Sequence, residues 1–150
     1  MLHGVKMKEL ITHADDRGFF REVFRTDWGM GEAAQTSVTL TFPGVVKAFH
    51  YHKLQTDIWY VAQGQARVVL HDLRDDSPTK GQTQTIVCGQ HAPMLICIPP
   101  MVAHGYQVLG SDPVTLFYHT SLTYDAKNPD EYRISFDDAS IGFDWSIKNR

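Results

Sequence analysis

Three histidines and one aspartate carry the chemistry most readily read from this chain of 150 residues. In Val45–His52 the two-residue period of a strand puts Val46, Ala48, His50 and His52 on one face, and Val45, Lys47, Phe49 and Tyr51 on the other. Two imidazoles then share a face with small apolar side chains, the pattern expected of a cavity lining. Asp57 follows shortly after, and His104 comes just after the turn sequence IPPMVAHG. Imidazole, with an ordinary pKa of about 6.5, takes or gives a proton near neutrality. Imidazoles with a carboxylate also make an open site suited to iron, manganese, zinc or nickel. Proton transfer and metal binding are both open on these residues alone. His3, His13, His71, His91 and His119 lack such a context and are expected at the surface or in packing.

Short runs rich in Val, Ile, Thr and aromatics must position these groups. The strands expected are Gln35–Phe42, Val45–His52, Asp57–Gln63, Ala66–Leu73, Thr83–Cys88, Met94–Ile98, Gly105–Leu109 and Val114–Ser121. Turn residues separate them: Pro43-Gly44, Gly64, the stretch Asp75–Gly81, Gly89, Pro99-Pro100 and Gly110 to Pro113. No segment sustains a helical period, although a short helical turn fits near Trp28 or after Asp137. The rhythm is that of an all-β domain, and eight or so such strands suit a double-sheet jelly roll with a cavity between its inner faces. Without a repeat or linker, residues 1–150 read as a single domain.

Composition narrows the function classes. Fourteen basic and seventeen acidic side chains give a formal charge of −3, and no Lys/Arg cluster is present to follow a phosphate backbone, so nucleic acid is not expected as a partner. There is no apolar stretch of membrane-spanning length and no leader-like start, so no membrane association and a cytoplasmic location are expected. Cys88 and Cys97 lie on neighbouring apolar runs and read as small core residues of a reducing compartment.

The spacing from Gly44 to His50-Tyr51-His52, Asp57 and Gly64, and from Pro99 to His104, resembles the two sequence motifs of the cupin superfamily. In metal-binding cupins two histidines, a glutamate and a later histidine are ligands; Asp57 stands where the glutamate would be. A second resemblance spans nearly the whole chain. The segments DDRGFFREVFR, QTSVTLT, GVVKAFHYHKLQTD, VVLHDLRDDSPTKG, IPPMVAHGYQVL, LFYHTSLTY and YRISFDDASIGFDW occur in the order seen in the dTDP-4-dehydrorhamnose 3,5-epimerase family. That resemblance implies a cupin jelly-roll β-barrel and a homodimer. It also implies an isomerase, using no metal or other cofactor, that acts on a nucleotide-diphosphate-linked 4-keto-6-deoxy sugar in deoxysugar or polysaccharide biosynthesis.

Carbons 3 and 5 of such a sugar flank the 4-keto group. Removing either proton gives an enolate that reprotonates from the opposite face, which requires a base, an acid and a group that stabilises the enolate oxygen. By resemblance His50 is the base, Asp138 (or its neighbour Asp137) the carboxylate that orients it, and Tyr118 the proton donor, with Tyr124 in reserve. Substrate contacts implied in the same way are Arg17 and Glu22 to the nucleotide part, Gln35, Lys47 in place of an arginine, and His104 near the sugar. The departures are equally specific. Asp57 replaces a lysine that would hold the keto oxygen, Val68 an aspartate, Ser37 an asparagine and His52 a glutamine. The segment HYHK also resembles the HAHK of sugar-nucleotide 3,4-ketoisomerases. A ketoisomerase, a metal-dependent cupin using His50, His52, Asp57 and His104, and a non-catalytic sugar-nucleotide binder are therefore the alternatives to an epimerase.

Overall fold

The computed structural model describes residues 1–147. Its strands, in chain order, are β1 (Lys6–Glu9), β2 (His13–Asp15), β3 (Gly18–Phe20), β4 (Gln35–Thr41), β5 (Val46–Tyr51) and β6 (Asp57–Gln63). Then come β7 (Gln65–Asp72), β8 (Thr83–Gly89), β9 (Met94–Ile98), β10 (Val102–Leu109), β11 (Val114–Thr120) and β12 (Tyr132–Arg133). They form two five-stranded sheets, β1-β9-β6-β11-β4 and β12-β5-β10-β7-β8, plus the separate hairpin β2-β3. The all-β jelly roll expected from the sequence is the architecture observed.

A core lies between the two sheets. Trp59, Val61, Val68, Leu70, Ile96, Ile98, Val102, Tyr106, Val108 and Leu116 pack there from both sides. The outer faces are covered as well. Residues before β4, including Leu10, Val23, Phe24, Trp28 and Met30, pack on Ile58, Tyr60 and Leu95 of the first sheet. Residues after β12, including Ile141, Phe143 and Trp145, pack on Phe49, Val69 and Ala103 of the second. Strands covered on both sides need not alternate, and β6 is buried at each of its first five residues. Cys88 and Cys97 are free and buried in this packing, and burial raises the Cys88 thiol to about 12. A 3-10 turn at Thr26–Trp28 accounts for the helical signal near Trp28.

The segment DLRDDSPTKG is built around a buried carboxylate. Asp72 accepts hydrogen bonds from the Arg74 backbone N (3.1 Å), Arg74 Nε and Nη2 (2.8 Å each), Ser77 Oγ (2.6 Å) and Thr79 Oγ1 (2.6 Å). Burial favours the neutral acid, but these donors outweigh it and hold the Asp72 carboxyl below its usual range. A group with a depressed folded pKa contributes stability above its unfolded pKa of about 3.9, and that contribution is lost as pH falls through the folded value. Asp72→Ala is expected to cost about 3–5 kcal/mol at neutral pH, because Arg74 loses its buried partner. Urea unfolding across pH should show the gap to wild type closing below about pH 3.9.

Candidate active site

A cavity of about 1030 Å³ opens between the two sheets, large enough for a nucleotide sugar. Second-sheet strand β5 brings Lys47 and His50 to its wall, with His52 just past its end; β6 and β11 of the first bring Asp57, Trp59, Tyr118 and Thr120. His104 is on β10, directly opposite His50 in register. It therefore lies within a strand that starts at Val102, not beyond a turn before Gly105.

The arrangement of β5 differs from strict alternation. His104 pairs with His50 and Tyr106 with Lys47, so Gly105 alone faces both Ala48 and Phe49. This one-against-two step is a β-bulge, and it resets which residues point inward. Phe49 and Ala48 pack outward with Val69 and Ala103. Lys47, expected on the outer face, reaches the cavity and donates from Nζ to Thr39 Oγ1 at 2.9 Å. Gly105 is required by this close approach, since a Cβ there would stand 2.3 Å from Ala48 Cβ and 2.7 Å from Lys47 O.

Four side chains converge at the base of the cavity: one ligand-type atom each from His50, His52, Asp57 and His104 lies within 4.8 Å of the others. The Asp57 carboxylate is 2 % exposed. It accepts from Gln55 Nε2 at 2.7 Å and from Trp59 Nε1 at 3.2 Å, and lies 3.5 Å from both His52 Nε2 and His104 Nε2. On the far side of each ring, His104 Nδ1 donates to Val102 O at 2.8 Å and His52 Nδ1 to Asp130 O. Asp130 is fixed in turn, its carboxylate accepting from the backbone N of Lys53, Leu54 and Gln55 at 2.8–2.9 Å.

Burial favours protonation of Asp57, but His104 and His52 beside it outweigh that and hold the carboxyl well below the usual range. Burial alone would lower His52, yet the Asp57 carboxylate and the Asp130 backbone raise it. His50 is brought down to about 2, first by burial and then by the neighbouring His104, so its ring is neutral. That ring packs edge-on against His104, 4.1 Å between centroids, and near Trp59 at 5.8 Å.

Of the residues expected at the site, His50, His52, Asp57, Tyr118, Gln35, Lys47 and Tyr124 line the cavity, with His104 at its base. Gln35 Oε1 accepts from the Tyr124 backbone N at 2.9 Å, which ties the mouth to β4. Four residues fall elsewhere. Asp138, expected to orient His50, caps an exposed turn by accepting from Ser140 N and Oγ at 2.8 and 2.6 Å. Asp137 is engaged by Ser135 Oγ, and the carboxylate gathered with His50 at the base of the cavity is Asp57. Arg17 pairs with Asp15 at the tip of the β2-β3 hairpin, and Glu22 pairs with Arg25. Neither lines the cavity of its own chain.

The comparisons decide the relationship. The family model described as dTDP-4-dehydrorhamnose 3,5-epimerase matches residues 1–150. The chain belongs to that family. It is 50 % identical to the spore coat polysaccharide biosynthesis protein SpsL of Bacillus subtilis, with 100 % of each chain covered. It is 38 % identical to a probable low-salt glycan biosynthesis epimerase of Haloferax volcanii, covering 98 % of this chain and 96 % of that one. Among solved structures, the dTDP sugar isomerase of Desulfovibrio desulfuricans superposes with a TM-score of 0.89 at 27 % identity, covering 96 % of this chain and 92 % of that one. As a member of the family the chain is an isomerase of the epimerase class.

Within this epimerase, sequence reasoning missed Asp130, Gln55, Trp59 and Arg133. Trp59 looks like any core aromatic of a strand, and only its indole N–H bond to Asp57 marks it. Asp130 acts through its main-chain oxygen, which has no sequence signal. Arg133 comes to the cavity because β12 pairs with β5, opposite His50. The bulge yields a direct test: Gly105→Ala should destabilise the fold by about 1–3 kcal/mol or more through overpacking. Because the displaced atoms lie beside His50 and His104, activity in the surviving folded protein should also fall, as read by urea titration alongside an epimerase assay.

Proposed function

We propose that the chain is a cytoplasmic, homodimeric epimerase that inverts carbon 3, carbon 5 or both in a nucleotide-linked 4-keto-6-deoxy sugar. The observation that carries this reading is the placement of a neutral imidazole, His50 on β5, and a phenol, Tyr118 on β11, on facing sheets of one cavity. Inversion needs a proton removed from one face of the carbon and returned to the other. His50 takes the proton next to the keto group, and Tyr118 returns one from the opposite wall. Lys47, steadied by Thr39, and Arg133 are the cationic side chains of the cavity among the described residues, and they suit the diphosphate. A dTDP nucleotide is supported by the names of relatives, one of which was solved in complex with dTDP-4-keto-L-rhamnose.

The dimer is supported by β4, which ends its sheet and exposes Val38, Leu40 and Phe42 along its outer side. The hairpin carrying Arg17 and the exposed Phe19 and Phe20 stands off its own cavity. In a twin arrangement it extends to the neighbouring one, where Arg17 and Glu22 meet the nucleotide part of the substrate.

Incubation with dTDP-4-keto-6-deoxyglucose in heavy water, followed by NMR, should show deuterium at carbon 3, carbon 5 or both, with inverted product. His50→Ala should slow exchange by about 10² to 10⁴, whereas Tyr118→Phe should retain exchange and lose inversion. Exchange at carbon 3 with a shifted carbonyl would mark a ketoisomerase instead, and no exchange with any nucleotide sugar would remove the enzyme reading. In sedimentation the wild type should be a dimer and Leu40→Glu should shift it toward monomer; a wild-type monomer at all concentrations contradicts the assembly.

A further inference from the structure

We infer that His52, Asp57 and His104 form a binding site for one divalent transition-metal ion, with His50 beside it. The existence of the site rests on these side chains alone; only the use of the ion rests on the epimerase reading. It departs from the metal-free expectation that the resemblance sets.

The tautomers come first. His52 Nδ1 faces the Asp130 carbonyl and His104 Nδ1 faces the Val102 carbonyl. A carbonyl only accepts, so each Nδ1 carries a proton, and in its neutral form each ring presents a lone pair at Nε2. Both Nε2 atoms are buried, have no hydrogen-bond partner, and point toward the same carboxylate. A far nitrogen donating to a backbone carbonyl while the near one faces a shared centre is how proteins orient metal-ligating histidines.

The distances agree. Both Nε2–oxygen separations are 3.5 Å, well beyond the roughly 2.7–2.9 Å of a charge-assisted hydrogen bond. Donors that share a tetrahedral ion at bond lengths of about 2.1 Å stand about 3.4 Å apart. The carboxylate is oriented as well, since Gln55 and Trp59 each donate to one oxygen and leave each a further lone pair. Ligating carboxylates are held in this manner.

His50 differs from the other two rings. No hydrogen bond among the described residues fixes its ring, which packs against those of His52, Trp59 and His104. Two tethered imidazoles and one tethered carboxylate thus make a three-donor set open toward the cavity, and His50 stays available as the base. A divalent ion there would supply positive charge to a keto oxygen as it becomes an enolate oxygen. Lys47 and Arg133, the cations of the cavity wall, are engaged by Thr39 and Glu131 instead.

The test uses the full chain without a polyhistidine tag, stripped by chelation and titrated with Co²⁺. One Co²⁺ per chain is expected, with the visible absorption of an imidazole–carboxylate site. His52→Ala, Asp57→Asn and His104→Ala should each weaken binding by more than the roughly 10- to 100-fold that loss of an orienting partner costs. His50→Ala should remain within about 10-fold of wild type, less than the loss of a ligand. Failure of wild type to bind, or binding lost only with His50→Ala, overturns the site. Because a ligand variant that unfolds would also lose binding, X-ray absorption of the Zn²⁺-loaded wild type gives an independent reading. Two imidazoles with oxygen neighbours uphold the site, and a shell without imidazole overturns it. Stripped protein that binds no Co²⁺ yet exchanges deuterium removes the site and keeps the epimerase. Protein that holds Co²⁺ through two imidazoles but exchanges nothing upholds the site and removes the epimerase reading.

Discussion

A carboxylate buried at the base of a barrel sets the terms for the rest of this structure. Taking an isolated ionised Asp57 out of water would cost several kcal/mol, and everything around it offsets that cost. Gln55 and Trp59 donate to its oxygens, two imidazoles stand 3.5 Å away, and those rings are held from behind by the carbonyls of Val102 and Asp130. Asp130 in turn holds the loop that joins β5 to β6, through three backbone N–H groups. The network thus fixes the loop that leads into Asp57 as well as the groups that face it.

Around this network the fold supplies two walls of different character. The β5 wall is polar, with Lys47 brought to the side of His50 by a bulge that only Gly105 permits on the facing strand, and His52 just past the strand end. The β11 wall carries Tyr118 among apolar neighbours of the main core. His50 and Tyr118 thus sit on separate sheets, and the spacing between them depends on the packing of the core. Stability and the geometry of the cavity are coupled here through sheet separation, because interiors are close-packed and transmit small shifts.

Much of this was legible from residue order. The bounds of β6 and β9 match the expectation residue for residue, and the other long strands differ by a few positions at their ends. The grouping of His50, His52, Asp57 and His104 was likewise readable, since strand period put the first two histidines on one face and the likeness to the cupin motifs joined Asp57 and His104 to them. The short strands β1, β2, β3 and β12 were not. Sequences such as KMKE and HAD have no apolar rhythm and become strands only because a partner edge or hairpin receives them. The exchange of Lys47 and Ala48 between faces was hidden for a related reason, because a bulge arises from two strands together and leaves no mark on the one that carries it. Asp138 misled because a motif gives residue type and order, whereas its carboxylate is used locally by Ser140.

The clamp on His52 also bears on the order in which the molecule can be made. Its carbonyl partner comes from Asp130, 78 positions further along the chain, while β5, β6, β10 and β11 all precede that residue. A nascent chain emerging from the ribosome, with domains folding as units once enough chain is available, holds β1 to β11 before the His52 ring has its backing. The segment that follows β11 therefore completes the backing of the His52 ring only after the strands that carry the site have been synthesised.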